Sequence, residues 1–446
     1  MRIGIIGSGV SGMTAAWLLQ HDHEVTVLEK APRLGGHVET VPVELDGETI
    51  YGELGARFFF DSAYPYFLTL LRLLDVSLRW VDLKVCIHQV ERGVSLALPP
   101  RSLRQLARLL SAPRDLLHIN SLRRLIQEQA GLSKRRDSWL TLREHLARGG
   151  YPASFGPEFA FPFLSACWGA PLEEIPDFPV YSLLKGMPPG SKPGTYEIEG
   201  GMSRYVRALH EELPRVKVHL EREVTRITHG DGYLVEDTTG NRYDFDQLIV
   251  ATSARDAAHL LREVPSAREM HSTVSSFRHW EIEIAVHGDA SFMPPDRRDW
   301  SHNNLFFEHD HAWMTDWQGH RDRRPVFRTW LPKSRPPPFP LYGKRSYHHV
   351  IMSSETTEQQ RRIAAAQGKA GLWVTGMYAV DVDNHESAFL SALVPALALA
   401  PEAPNLRRLL GAVPRDAMHG LEVLPAPLPE PPAEALRDAQ GEERAR

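Results

Sequence analysis

Cysteine is nearly missing from this chain. Among 446 residues only Cys86 and Cys167 occur. Two distant thiols make no disulfide framework and no metal motif by spacing, and they fit a reducing compartment. Long apolar runs are missing too. No stretch approaches the roughly eighteen residues that a membrane helix needs. Neither sign of charge dominates: 51 Lys and Arg stand against 56 Asp and Glu, a net of −5, which argues against a nucleic-acid-binding protein. Histidines cluster in Trp300-Ser301-His302-Asn303-Asn304-Leu305-Phe306-Phe307-Glu308-His309-Asp310-His311, but no helical H-x-x-x-H pair with a third ligand appears, so no metal is expected. No catalytic triad or paired-carboxylate signature is found. A nucleotide motif begins almost at Met1, so a secretory leader is not expected and a cytoplasmic location is. The length exceeds one ordinary core and predicts two domains.

What is present is concentrated at the start, in MRIGIIGSGVSGMTAAWLLQHDHEVTVLEK. Ile3 to Ile6 reads as a buried parallel strand. Gly7-Ser8-Gly9-Val10-Ser11-Gly12 follows as a G-x-G-x-x-G. Gly7 permits the tight turn, Gly9 lets a pyrophosphate approach the backbone, and Gly12 lets the helix pack on the strand. The helix from Met13 to Gln20 points its N-terminal N–H groups at that pyrophosphate. Glu24 to Leu28 is a second strand, and Glu29 at its end has the spacing of an acid that bonds a ribose hydroxyl.

Further along, Arg33-Leu34-Gly35-Gly36-His37 supplies a glycine pair suited to a second backbone approach to a phosphate or flavin edge, where a nicotinamide domain would continue into its next helix. Asp46-Gly47 marks a hairpin turn, and Gly52 to Phe60 brings glycines that let backbone lie near a planar ring. Tyr64 to Asp75 has helical spacing. Arg101 to Arg136 is leucine-rich, helical in period and strongly basic. Residues 151 to 180 are rich in aromatics and proline, and read as the wall of a substrate domain or as ordinary core. Gly200-Gly201-Met202-Ser203 opens a helix through Leu213, strands follow at Lys217–Leu220 and Val224–Ile227, and Thr239-Gly240 sits in a hairpin. Leu248 to Thr252 is a buried strand. Leu372 to Tyr378 runs into a glycine turn, and Asp381 to Ala388 leads into a helix ending near Ala400. That second loop-to-helix N-terminus can face the electron-rich edge of a reduced flavin.

Taken together, these pieces resemble the flavin amine oxidase superfamily, which includes protoporphyrinogen oxidase and phytoene desaturase. The matching segments are GSGVSG with Glu29, RLGG at 33–36, GELGA at 52–56, GGMSRYVRAL at 200–209, FDQLIVAT at 245–252, and the Gly376 and His385-Glu386 segment. The likeness is nearer to a bacterial branch of NAD/FAD-binding amine-oxidase-like proteins, through RLGGH and Met293-Pro294-Pro295-Asp296-Arg297-Arg298-Asp299-Trp300. The resemblance implies an α/β fold in which a Rossmann-type FAD-binding domain is interleaved with an α+β substrate domain. Residues 1–75, 195–262 and 370–410 would form the first, 76–194 and 263–369 the second, and 424–446 a disordered tail.

It also implies the site. Gly7, Ser8, Gly9, Val10, Ser11 and Gly12 with Glu29 and Lys30 would hold the AMP half of FAD. Arg33, Gly35, Gly36 and His37 would line the pyrophosphate and flavin, and Gly55, Ala56 and Arg57 would lie near the isoalloxazine. Val224 would meet the adenine side, next to Ala251 and Thr252. Gly376, Met377, Asn384, His385 and Ala388 would face the pyrimidine edge. Ser387 and Ala392 stand where the family has glycines, and no cysteine lies near to form a thioether link.

The function implied is that of an oxidoreductase with noncovalent FAD, taking a hydride from carbon in a hydrophobic substrate. A redox-neutral isomerase or lyase, and a non-catalytic flavin-fold partner protein, are the alternatives. His385 is the candidate catalytic residue: a charged imidazole there would add to the helix dipole and stabilise the anionic reduced flavin. Residues 101–136 are expected to touch an anionic membrane surface or to form a solvated basic face.

Overall fold

The computed structural model describes all residues except 188–193, 322, 416–420, 422 and 425–446. The expected tail therefore lies outside the described residues, apart from Leu424.

Parallel pairing of apolar strands builds the centre. Arg2–Ile6 pairs with Glu24–Leu28 on one side and Gln247–Val250 on the other. Lys217–His219 and Leu372–Val374 complete the edges of a five-stranded sheet. Ile3, Ile5, Val27, Leu248 and Ile249 are almost wholly buried, as strands covered on both faces must be. The helix Val10–Leu19 begins three residues earlier than its apolar pattern suggests, because the glycine loop itself supplies its first turn. It packs against the helix His385–Leu399, which is likewise apolar nearly all round. The hairpin at Asp46-Gly47 forms as expected, with Thr40–Leu45 against Glu48–Glu53.

A second, seven-stranded sheet holds chain from both ends of the sequence. Its order is Leu341–Val350, His279–His287, Phe327–Trp330, His311–Trp317, Asn303–Glu308, Val85–Gln89 and Val94–Leu98. The histidine-rich stretch is thus a strand pair, and among the described residues no group of three His, Cys, Asp or Glu is placed to hold a metal.

The aromatic segment 151–180 takes the second of its two readings, ordinary core. Tyr151, Phe155, Phe159 and Phe163 recur every four residues, so they stack along one face with centroids 5.4, 6.3 and 6.4 Å apart. Phe307 from the sheet closes edge-on against Phe159 at 5.7 Å. These rings are core, and none lines the large cavity described below.

The basic run also looks different in three dimensions. It forms the helices Leu103–Leu110 and Pro113–Glu128 and a short turn at Lys134–Asp137. Arg104 pairs with Asp296 at 2.8 Å, Arg108 with Asp299 at 2.8 Å, and Arg114 with Glu158. Arg101 donates to the carbonyl of Trp300 at 2.9 Å. Several of these arginines thus have acidic partners, while Arg104 and Arg114 stay more than half exposed to solvent. No helix is long and apolar enough to cross a membrane among the described residues.

Candidate cofactor and active site

The glycine loop is built by close approach. Gly7 has φ +102°, and a side chain there would lie 2.6 Å from the carbonyl oxygen of Ala251. A Cβ on Gly12 would sit 2.0 Å from the carbonyl oxygen of Gly7. Only glycine fits either position. A Cβ on Gly9 would meet nothing within 4 Å, so this position is open to a ligand. The second glycine pair folds back over the first loop: Gly35 N–H donates to the Ser8 carbonyl at 3.0 Å. A Cβ on Gly36 would come 3.0 Å from Gly9 Cα. Gly9 is the N-cap of the helix Val10–Leu19 and supplies no side-chain cap, so the first-turn N–H groups and the dipole face the loop mouth.

Glu29 is buried where the second strand ends. Its Oε2 accepts from Ser8 N–H at 2.8 Å and from Ser8 Oγ at 2.7 Å, and its Oε1 accepts from Ala31 N–H at 2.8 Å. A carboxylate has about four acceptor sites. Three are filled here, which leaves about one for a ribose hydroxyl. Arg33 holds its own loop, donating to Val38 and Gly36 carbonyls at 2.7 and 3.1 Å and to Glu39 at 2.7 Å.

These elements open on one cavity of about 1260 Å³. Its wall contains Gly7, Ser8, Gly9, Val10, Ser11, Glu29, Lys30, Arg33, Gly35, Gly36, His37 and Val224, with Ala251, Thr252, Gly376, Met377, His385 and Ala388 from the other end of the chain. Gly12 sits behind the loop, as its packing role requires. Gly55, Ala56, Arg57 and Asn384 are not on this wall. Gly55 packs against the His37 carbonyl, and Arg57 turns into a buried pair with Glu197 at 3.2 Å. Asn384 is a helix cap: its Oδ1 accepts from Ser387 N–H at 2.9 Å. Ser387, at the family's glycine position, is buried with Oγ accepting from Val382 N–H at 3.3 Å, so it holds the preceding loop and does not obstruct the cavity.

His385 does not behave as expected. Its Nε2 lies 3.1 Å from Tyr205 Oη, and its ring packs edge-on to Phe67 at 4.4 Å. Loss of water around the ring, reinforced by the nearby His37, pushes its pKa down to about 3. The imidazole is neutral at physiological pH. It cannot add charge to the helix dipole, and only the helix N-terminus itself can favour negative charge there.

Sequence reasoning missed several wall residues. Phe277, Tyr347 and Val350 reach the cavity because His279–His287 pairs with Leu341–Val350, a register no local pattern announces. Tyr205 was legible only as part of GGMSRYVRAL.

Buried neutral histidines make the fold acid-labile. Burial lowers His287 and His320 to about 4 and His302 and His385 to about 3, from 6.5. The unfolded chain then binds more protons below pH 6.5, so this stability is present above 6.5 and is lost as pH falls toward the folded values. Glu53 and Glu386, raised by burial to about 8 from 4.5, act in the opposite sense over the window 4.5 to 8, with fewer groups. Urea midpoints should therefore drop between pH 6.5 and pH 4; a flat profile across that range would contradict the assignment.

Two glycine loops, a buried terminal acid and a distant helix N-terminus around one cavity define a Rossmann-type dinucleotide-binding flavoprotein site. The sequence profile described as Flavin containing amine oxidoreductase matches residues 10–335, and the chain belongs to that family. The cofactor of that family is a flavin. Among curated relatives, coproporphyrinogen III oxidase of Bacillus subtilis (strain 168) is 24% identical over 318 residues, 61% of this chain and 64% of the relative. The enzyme of the same name from Mycobacterium bovis is 25% identical, over 65% of this chain and 67% of its own. The chain thus spans about two-thirds of the length of these relatives. Among solved structures, a conjugated-linoleic-acid-producing fatty acid isomerase from P. acnes shares the fold with a TM-score of 0.65 at 16% identity, over 88% of this chain and 97% of its own. A putrescine oxidase bound to putrescine gives 0.62 at 13% identity, over 90% and 100%.

Proposed function

We propose that this enzyme removes a hydride from a carbon atom of a largely apolar substrate, with FAD held noncovalently. The observation that carries this reading is a shared wall. The cavity that holds the glycine loops also holds Val274, Phe277, Tyr347, Val350 and Tyr378. These side chains exclude water and bind an apolar body beside the cofactor. Bound FAD supplies the hydride acceptor. The chain's own residues do the rest. The N-terminus of Val10–Leu19 would hold the pyrophosphate, and Glu29 would accept from a ribose hydroxyl. The N-terminus of His385–Leu399 would favour negative charge at the flavin edge. His385, beside the Tyr205 hydroxyl, positions the wall. Hydride removal from carbon needs mainly positioning, which accords with the scarcity of acid–base pairs in the sequence. Neither cysteine lies on this wall, which supports a noncovalent cofactor. The test is anaerobic mixing: polyene or acyl compounds should bleach the flavin, and simple primary amines should not. Bleaching by amines alone would refute the substrate class.

Peripheral contact with lipid is a further part of the proposal. Leu103, Leu110 and Leu117 stand 85%, 63% and 49% exposed on the helices of the basic run. The leucines would carry this contact, beside exposed arginines that already have acidic partners. Leu103→Ser with Leu110→Ser should abolish co-sedimentation with phosphatidylglycerol vesicles; unchanged sedimentation would refute it.

A further inference from the structure

Glu53 and Arg57 line a separate, polar cavity of about 310 Å³. At its centre is Glu197, a buried carboxylate faced by three guanidinium groups. Arg79 takes it well, with Nη2 and Nε at 2.7 and 3.0 Å from Oε1. Arg57 does not: its Nη2 and Nε are 3.2 and 3.3 Å from Oε2, and its Nη1 is 3.4 Å from the Trp317 carbonyl. Arg321 Nε is 3.9 Å from Oε1, beyond hydrogen-bond reach. Charge-assisted pairs normally close to roughly 2.7–2.9 Å. One carboxylate serves three cations: Oε1 takes Arg79 closely, Oε2 takes Arg57 at longer range, and Arg321 approaches no nearer than 3.9 Å.

The charge count agrees. Burial opposes ionisation of Glu197, but Arg57 and Arg79 hold its carboxyl below the usual range. Glu199, 3.4 Å from Arg79, is the other anion. Burial keeps Glu53 protonated near neutral pH, with its pKa at about 8 despite donors from Met202 and Thr40. His320 is neutral. Three arginines against Glu197 and Glu199 leave one net positive charge among the described residues. The Arg57 side chain is 7% exposed and its contacts are all long, including His320 Nδ1 at 3.4 Å and the Phe58 ring at 4.5 Å, so an incoming carboxylate would give it a closer partner.

We propose that this cavity binds a monocarboxylate, its head between Arg57 and Arg321 and a short apolar chain against Ile50, Ile198 and Met202. The planar fork of a guanidinium matches a carboxylate. The apolar flank favours an alkyl carboxylate over phosphate or sulfate, which present no chain to it. The site is separate from the cofactor cavity, and the inference stands whether or not the redox proposal does.

Calorimetric titration of the FAD-loaded protein with hexanoate, hexylammonium and sulfate tests it. Hexanoate should bind saturably, one per chain, and hexylammonium should not compete. Arg321→Gln alters a half-exposed side chain, so the protein should fold and keep its flavin spectrum while hexanoate affinity falls about tenfold or more. Arg57→Lys, which keeps charge but loses the fork, should also weaken binding. No hexanoate binding, affinity unchanged in both variants, or tighter binding of sulfate would overturn the proposal.

Discussion

Gly9→Asp should give a folded protein that elutes colourless. Gly9 has extended backbone, φ −65° and ψ 179°, which any residue adopts. Its missing side chain faces open space, so the substitution costs the fold little. It places a carboxylate against the pyrophosphate. At ~4 Å and an effective dielectric of ~20, that repulsion is ~4 kcal/mol, about a thousandfold in affinity. Gly12→Ala should fail differently. Its Cβ would collide with backbone at 2.0 Å, so helix and strand must separate, at a cost of about 3 kcal/mol or more. Flavin content after gel filtration and urea unfolding distinguish the two. Full flavin occupancy in Gly9→Asp would contradict the assignment of this loop to the cofactor.

Glu386→Ala should destabilise the protein by about 3 kcal/mol. Glu386 lies in the first turn of the helix His385–Leu399, 4% exposed. Its Oε1 accepts from Tyr66 N–H at 2.8 Å and its Oε2 from Phe67 N–H at 2.9 Å. Those donors belong to the first turn of Pro65–Leu73, whose own N-cap residue, Tyr64, makes no side-chain cap. Glu386 is therefore a cap borrowed from the far end of the chain. Removing it strands two buried N–H groups, each worth about 1–3 kcal/mol. Phe67 also supports the His385 ring, so the variant should bind FAD less tightly. Glu386→Gln keeps one acceptor and should lose less. An alanine variant within about 0.5 kcal/mol of the parent by urea unfolding would contradict this account.

His385-Glu386 shows where sequence reading stops. The pair was visible as a motif, but the roles were not. Whether His385 carries charge depends on the water that Phe67, Tyr205 and the surrounding wall take from it. Whether Glu386 is a surface acid or a cap depends on a helix more than three hundred residues away in sequence, at Pro65–Leu73. Arg57 is a similar case. Its neighbours in GELGA suggested a flavin contact, while a buried acid on the strand Thr195–Ile198 draws it into another cavity.

The sequence by itself determined the glycine loop, the strand and helix around it, the terminal acid Glu29 and hence the cofactor class. The physical reason is that these features are local: a tight turn, a close approach and a buried strand each demand particular residues within a few positions. Tertiary structure decided which distant side chains share a wall. It placed the aromatic segment in the core, gave several arginines of the basic run acidic partners and set the burial that lowers the His385 pKa. It also gathered Arg57, Arg79 and Arg321 around Glu197. Those outcomes rest on burial and strand register, which are set by the whole chain and leave no mark at any single position.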